Sequence, residues 1–180
     1  MYRDDVVERA RMACLRNLNI LDTAADERLD QVTCLAAEHF DVAISVLSLV
    51  DAERQWFKSK VGLAAFQTPR CHAFCDHTIR SQNVMIVEDA TKDERFANNP
   101  LVLGDPNIRF YAGTPITIDN TYRIGSLCII DAKPRQFKDR DVAKLVSMGK
   151  TMERLISQIY LTSDVLERLA DFANQDVAAR

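Results

Sequence analysis

Residues 43–51 read AISVLSLVD, and this stretch decides the fold class of the 180-residue chain. It is short, rich in β-branched side chains and apolar on both alternations, which predicts a strand buried on both faces. Such a strand needs packing partners on each side of its sheet. A tight turn at 51–53 follows, and residues 54–61, with Trp56 and Phe57, are predicted to form the second strand of a hairpin.

Two helices are predicted before this hairpin. Residues 4–18 carry apolar side chains at three- and four-residue steps, which is typical of an amphipathic helix. Its stripe comprises Val6, Val7, Ala10, Ala13, Cys14 and Leu18. A second helix is predicted over 26–40, with Thr23 and Asp26 forming a capping box at its start.

The elements predicted after the hairpin are a loop over 62–70, a helix over 71–82 and strands over 84–87, 109–119 and 123–131. The connection over 88–107 is long and irregular, with one short helix around Phe96, and connections of this length in compact domains are usually functional. Pro115 lacks an N–H group and therefore predicts a sheet edge or a bulge. Together the elements predict an α+β domain, in which helices cover both faces of an antiparallel sheet.

The C-terminal helix begins near Lys138, and its apolar positions alternate in the three- and four-residue steps of a coiled-coil seam. The seam comprises Leu145, Met148, Met152, Leu155, Ile159, Leu166, Leu169 and Ala173. About 35 helical residues would span ~52 Å, whereas a globule of this size is about 40 Å across. The helix therefore overhangs a domain formed by residues 1–160 or breaks near Thr162–Asp164, with 161–180 as a helical extension. An overhanging seam predicts a homodimer.

Composition excludes several classes of protein. Hydrophobic residues make up 47% and charged residues 27%, which excludes a disordered chain. The 23 basic side chains are scattered and the net charge is −3, so no nucleic acid partner is expected. No apolar run approaches the ~20 residues of a membrane span. The N-terminus does not read as a targeting peptide, and five cysteines favour reduced thiols in a cytoplasm.

Eight short strings resemble the GAF domain, in particular the bacterial subgroup found ahead of diguanylate cyclase or histidine kinase modules. They are ILDT (20–23), SLVD (48–51), RQWFKS (54–59), TPR (68–70), FCDH (74–77), DERFANNP (93–100), IRFYAGTP (108–115) and IGSLCIID (124–131). The resemblance covers about residues 15–160. It implies a five- or six-stranded antiparallel sheet with the terminal helices on one face. On the other face it implies short helices and loops around a small-molecule pocket.

The resemblance also implies a function. We expect a cytoplasmic sensory or regulatory module that binds an unidentified small molecule and signals through a dimeric C-terminal helix to an output domain or protein. One alternative is a dimerisation scaffold whose pocket is closed. Another is a thiol enzyme, either a reductase of free methionine sulfoxide or a redox sensor, using Cys75 and Cys128. Catalysis is not expected, because nothing in the sequence lowers the pKa of these thiols.

The sequence lacks the residues with which related proteins bind their cofactors. Bilin photoreceptors of this family attach their chromophore through a cysteine shortly before the strand at 109–119, and no cysteine lies between 76 and 127. The Asn-Lys pair of cyclic-nucleotide binders is absent. The run from Cys71 to His77 offers thiols and imidazoles, but seven helical residues cannot surround one zinc ion. The ligand therefore stays unknown.

The candidate pocket residues are Phe74, Cys75, His77, Asp93, Arg95, Phe96, Arg109, Tyr111 and Cys128. Strand alternation places Arg109, Tyr111 and Gly113 on one face of the sheet. Gly113 would allow another backbone or a ligand to approach closely. Two roles stay open for Arg109, which either pairs with Asp93 to fasten the 88–107 connection to the sheet or binds an anionic ligand.

Overall fold

The computed structural model describes residues 5–161, and a six-stranded antiparallel sheet forms its centre. The strands are β1 (Ile44–Val50), β2 (Arg54–Val61), β3 (Gln67–Pro69), β4 (Met85–Val87), β5 (Phe110–Ile118) and β6 (Tyr122–Asp131). Their order across the sheet is β3-β2-β1-β6-β5-β4. The two strands at the centre, β1 and β6, are therefore paired on both sides.

Helices pack against both faces of this sheet, so the predicted α+β architecture is confirmed. The helices are α1 (Asp5–Asn17), α2 (Glu27–Phe40), α3 (Phe74–Thr78), α4 (Pro100–Leu103) and α5 (Asp139–Ile156). Residues of α1, α2 and α5 share one apolar core with the sheet. Residues of α3, α4 and the connection from β4 to β5 share a second core on the opposite face. None of the described helices is long and apolar enough to cross a membrane.

Strand β1 explains why two cores form. All of its residues are buried. Leu47 and Leu49 point into the core beneath α2 and α5, while Val46 and Val50 point into the core beneath α3. The apolar alternation recognised at 43–51 therefore corresponds to burial on both faces of the sheet.

The predicted apolar stripe of α1 is only partly right: Leu18 is buried and Cys14 packs against the core, but the start of the stripe is exposed. Val6 and Val7 are 65% and 52% exposed, and the buried positions of α1 include Arg11, Met12 and Leu15. Arg11 is buried because its guanidinium donates a hydrogen bond to the carbonyl oxygen of Val50 at 2.8 Å. A pattern based on hydrophobicity places an arginine on the solvent side of a helix. The buried face predicted for α1 was therefore rotated away from Arg11.

Local contacts also changed how α2 begins. Asp26 is the N-cap, and its side chain accepts a hydrogen bond from the backbone N–H of Arg28. Thr23 instead donates to the carbonyl oxygen of Ile20 at 2.7 Å. The capping box predicted between Thr23 and Asp26 is therefore wrong, although the helix starts where it was expected.

Three short elements differ from the sequence prediction. The loop predicted over 62–70 contains the short edge strand β3. The helix predicted over 71–82 is reduced to a 3₁₀ turn followed by the five residues of α3. The short helix of the connection is α4 rather than a helix around Phe96, because Pro100 stands at its first turn and Asn99 caps it.

The edge predicted from Pro115 is confirmed. Strand β4 pairs only with Tyr111–Gly113 of β5, so Pro115 lies beyond the end of β4. Two residues further along, the backbone N–H of Thr117 donates to Glu153 Oε1 on α5 at 2.8 Å. The proline and the glutamate together leave this edge without a free N–H group at either position.

Part of the seam predicted for dimerisation belongs to the core of this chain. Leu145 and Met152 are fully buried against the sheet, so assigning them to a dimer interface is wrong. Met148, Leu155 and Ile159 are partly buried against the same core and stay predictions as dimer contacts. Helix α5 continues into a π-helical segment, Ser157–Leu161. Leu166, Leu169, Ala173 and the break at Thr162–Asp164 lie outside the described residues.

We expect Gly125→Ala to destabilise the domain by about 1–3 kcal/mol through overpacking. A Cβ atom at Gly125 would lie 2.0 Å from the carbonyl oxygen of Ser48, so the central pair β1–β6 would have to separate. Urea unfolding measures the loss. Gly104→Ala is the control, because the nearest atom to its Cβ is 3.3 Å away. Equal losses for the two variants would contradict this account of the sheet.

Candidate functional site

Five of the nine residues predicted to bind a ligand lie together at α3: Phe74, Cys75, Phe96, Tyr111 and Cys128. We call Phe74, Cys75, Thr78, Phe96, Tyr111, Ser126 and Cys128 the Tyr111 cluster. Helix α3 contacts β1, β5 and β6 and brings the cluster residues of the helix onto those of the sheet. Every member is buried, and Tyr111 is fully so.

Aromatic rings fill the centre of the cluster. Phe74 and Phe96 stack with their ring centroids 3.9 Å apart and their planes at 11°. Tyr111 lies on Phe74 at 5.2 Å, and His77 meets the edge of Phe96 at 4.9 Å. Phe74 and Phe96 are 2% and 1% exposed, respectively. The interior predicted to hold a ligand is thus occupied by the protein's own side chains.

The hydroxyl of Tyr111 is the polar centre of the cluster. It lies 2.7 Å from Thr78 Oγ1, and at the longer distance of 3.5 Å from Ser126 Oγ and from Cys75 Sγ. The same hydroxyl covers Gly113, where an added Cβ would lie only 2.3 Å from it. The space expected beside Gly113 for a ligand is therefore taken by Tyr111.

Cys75 and Cys128 face each other with their sulfur atoms 3.8 Å apart. The hydrogen bond from the Cys128 thiol is the main influence that lowers the pKa of Cys75, against the opposing effect of burial. The same bond raises the pKa of Cys128, and burial adds to that rise. The sequence could not show this, because the two residues are 53 positions apart.

The outer edge of the cluster carries charge. Arg95 donates two hydrogen bonds to Asp93, at 2.9 and 2.6 Å, and its guanidinium lies 5.0 Å from the centre of the Phe96 ring. These bonds lower the pKa of Asp93. His77 is half-buried, and burial, helped by the nearby charge of Arg80, lowers its pKa.

The predicted pair between Asp93 and Arg109 is wrong. Arg109 donates instead to the carbonyl oxygens of Val102 and Ile108, at 2.8 and 3.1 Å. It still fastens the connection to the start of β5, but through backbone oxygens. Its guanidinium is therefore already engaged within the connection.

An ionic network that the sequence analysis missed joins α1 to α3. Arg70 donates to Glu8 Oε1 at 2.7 Å and to Asp76 Oδ1 at 2.8 Å. Glu8 also accepts from Arg11, at 2.7 and 2.8 Å. Because Asp76 stands between Cys75 and His77, this network connects the N-terminal helix to the cover of the Tyr111 cluster. No sequence pattern links positions so far apart.

The network determines the protonation of Glu8. Burial alone would raise the pKa of this carboxyl group, but hydrogen bonds from Arg11 and then Arg70 outweigh it and lower the pKa from 4.5 to about 2. Asp76 responds in the same way, since burial is opposed by hydrogen bonds from Arg80 and Arg70 and its pKa falls. Both carboxylates are therefore charged at neutral pH.

Open pockets lie elsewhere on the described surface. One, of about 550 Å³, lies at the β1–β2 turn and contains none of the predicted ligand-binding residues. Its lining comprises Arg16, Asp51, Ala52, Glu53, Arg54, Gln67, Thr68 and Pro69. Among residues 5–161, no three His, Cys, Asp or Glu side chains are grouped so that they could hold a metal ion.

Comparisons with known proteins agree on the family. The family model of the GAF domain matches residues 24–156. A cyclic di-GMP phosphodiesterase of Pseudomonas aeruginosa is 38% identical over 167 residues, which are 92% of this chain but only 28% of that protein.

Solved structures share the fold at low sequence identity. The GAF domain of a phosphoenolpyruvate-protein phosphotransferase from Coxiella burnetii superposes with a TM-score of 0.65 at 13% identity, covering 90% of this chain and 99% of that one. A free methionine-R-sulfoxide reductase from Neisseria meningitidis gives a TM-score of 0.60 at 17% identity, covering 87% and 93%.

The chain belongs to the GAF family, and the resemblance noted in its sequence is confirmed. It is a GAF domain of the kind found in bacterial signalling proteins. The matched region lies within the predicted domain of residues 1–160, and the limits of that domain and of the 161–180 extension stay predictions.

We expect Glu8→Gln to lower the free energy of unfolding at pH 7 by about 2 kcal/mol, because hydrogen bonds to a charged group are lost. The carboxylate's pKa is lowered on folding, so its contribution is full above pH 4.5 and is lost as the pH falls towards 2. Urea unfolding at several pH values should therefore show the difference from wild type shrinking below pH 4.5.

Glu94→Gln is the control, because Glu94 is exposed. We expect it to change the free energy of unfolding by less than about 0.5 kcal/mol at any pH. A constant difference between wild type and Glu8→Gln from pH 7 to pH 2 would show that the Arg11–Glu8–Arg70 network does not hold α1.

Proposed function

We propose that this GAF domain is a sensory or regulatory module of a bacterial signalling protein, and that a small molecule binds by entering the Tyr111 cluster. Family membership and the similarity to part of a cyclic di-GMP phosphodiesterase support a signalling role. The chain spans 28% of that relative, so an output domain or protein is part of the proposal. A cytoplasmic location also stays a prediction.

The observation that carries this proposal is the fully buried hydroxyl of Tyr111. A buried polar group is costly unless it is hydrogen-bonded; this hydroxyl lies 2.7 Å from Thr78 Oγ1 and 3.5 Å from Cys75 Sγ, an ordinary distance for the larger sulfur atom. Ser126 Oγ, at 3.5 Å, is the weak partner that a polar group of a ligand would replace. Phenylalanine would fill a purely structural core at this position without that cost.

The cover over Tyr111 consists of elements that a ligand can displace. Helix α3 has five residues, and Phe96 belongs to the irregular connection between β4 and β5. The stack of Phe74 on Phe96 contributes about 0.5–1.5 kcal/mol beyond the burial of its area, which an aromatic or apolar ligand would regain. The ligand class that fits is therefore a small molecule with an apolar body and one hydrogen-bonding group.

Two contacts lead from this cluster to the terminal helices. Arg70 ties Asp76 of α3 to Glu8 of α1. On the other face of β5, Gly149 of α5 packs so closely on Thr114 that an added Cβ would lie 2.5 Å from the Thr114 methyl group. A ligand that moves α3 or β5 therefore acts on helices at both ends of the domain. The size of this effect depends on how much more tightly the ligand binds the displaced arrangement of α3 than the closed one.

Native mass spectrometry of the protein purified from the cells that naturally make it tests ligand binding. We expect the wild-type protein to retain an added mass that is released on denaturation. Thr78→Val is the matched variant, because it keeps the shape of the side chain but removes the partner of Tyr111, and its occupancy should be lower. A wild-type protein at the bare chain mass, indistinguishable from Thr78→Val, would contradict the proposal.

A ligand-free dimerisation scaffold is the second candidate. The filled Tyr111 cluster favours it, and so do the exposed side chains of Val6 and Val7 on α1. Met148 and Leu155 on α5 keep part of their surface exposed in the same helical layer. A second copy of the chain would bury both sets of apolar surface without any small molecule.

Sedimentation velocity tests the dimer. We expect the wild-type protein to sediment as a dimer and Val7→Lys and Leu155→Lys to shift towards monomer, because each places a charge in the proposed interface. Asn17→Lys and Arg154→Lys are controls at exposed positions of the same helices and should remain dimeric. A wild-type monomer at high protein concentration would exclude this candidate.

A further inference from the structure

We propose that Cys75 and Cys128 are a redox modification site, which a peroxide converts into an intrachain disulfide. The sulfur atoms are 3.8 Å apart, and a disulfide requires 2.03–2.05 Å. An approach of roughly 1.8 Å therefore closes the bond. This inference does not depend on ligand binding.

The two cysteines differ in how freely they can move. Cys128 lies on β6, which is paired on both sides by β1 and β5. Cys75 lies on the five-residue helix α3. We therefore assign the approach to α3, which moves towards a fixed sheet. The other described thiols are not in this position, since Cys34 and Cys71 are exposed and Cys14 is partly buried on α1.

The surroundings favour Cys75 as the first sulfur to react. Its sulfur lies 3.8 Å from the Cys128 sulfur and 3.5 Å from the Tyr111 hydroxyl. A hydrogen bond from Ser126 also lowers the pKa of Cys75. Donors of this kind stabilise a thiolate, which is the nucleophilic form. Cys128 is then placed to resolve the product.

The reaction balances with one peroxide and two thiols. The Cys75 thiolate attacks hydrogen peroxide, an S–O bond forms and the O–O bond breaks, giving a sulfenic acid and hydroxide, which takes up the thiol proton to become water. Cys128 then attacks the Cys75 sulfur as a thiolate, the S–S bond forms, and the S–O bond breaks to release hydroxide, which becomes water with the second proton. Two electrons pass from the thiols to the peroxide.

Burial makes this oxidation conditional on α3. Cys75 and Cys128 are 3% and 1% exposed, so peroxide reaches them only when α3 and the Phe74–Phe96 stack open. Exposed Cys34 and Cys71 should therefore oxidise first. The disulfide would then tie α3 to β6 and close the cover over Tyr111.

Peptide mapping of the full chain tests the site. Cys71 and Cys75 share the tryptic peptide 71–80, so the experiment uses Cys71→Ser to leave one thiol in it. The protein is treated with hydrogen peroxide, free thiols are alkylated, and a non-reducing digest is analysed by mass spectrometry. We expect a linked pair of peptides, 71–80 with 124–135, that reduction by dithiothreitol separates.

Cys128→Ala in the same background should abolish the linked pair, whereas Cys34→Ser should leave it unchanged. Thermal unfolding of each variant before treatment verifies that it is folded. The proposal is overturned if Cys75 and Cys128 are both recovered alkylated while Cys34 is oxidised. It is equally overturned if, in otherwise unsubstituted protein, Cys75 is found linked to Cys71 or Cys34.

Discussion

Burial of the central strands on both faces is the constraint from which the rest of this structure follows. Strands β1 and β6 supply leucine and isoleucine to one core, and isoleucine, valine and cysteine to the other. Neither core can exist without its cover, so the chain must provide helices on one side and the α3–α4 layer on the other. Both covers therefore rest on the same strands.

The two covers differ in their construction, and this difference suggests how the domain works. On one face, α2 and α5 are regular helices of 14 and 18 residues. On the other, α3 and α4 have five and four residues and are held by side chains such as Arg70 and Arg109. Short elements held by a few polar contacts open at lower cost than long packed helices. A signal is therefore expected to enter through the α3 face and to leave through the terminal helices.

The sequence was sufficient for five of the six strands, but it missed the edge strand β3 and the contacts of the charged residues. The strands could be predicted from the pattern of apolar side chains, and the sheet edge could be predicted from Pro115. Both signals depend only on local chemistry. The buried face of α1 was mispredicted because Arg11 is stabilised by a carbonyl oxygen 39 residues away. The partner of Arg109 was mispredicted because Val102 offers a backbone oxygen, which carries no signature in the sequence. Five of the nine candidate pocket residues lie together in the Tyr111 cluster, but Thr78 and Ser126 were missed. Only the packing of α3 on β5 shows that aromatic rings fill the space.

The edge of β5 beyond β4 has a consequence for assembly. Pro115 has no backbone hydrogen to offer, and Glu153 already occupies the N–H group of Thr117. A neighbouring polypeptide could not extend the sheet there by backbone pairing without first displacing that carboxylate. Growth of the sheet into fibrils or through exchanged strands is thus disfavoured at this border, which leaves side-chain surfaces for association with other molecules.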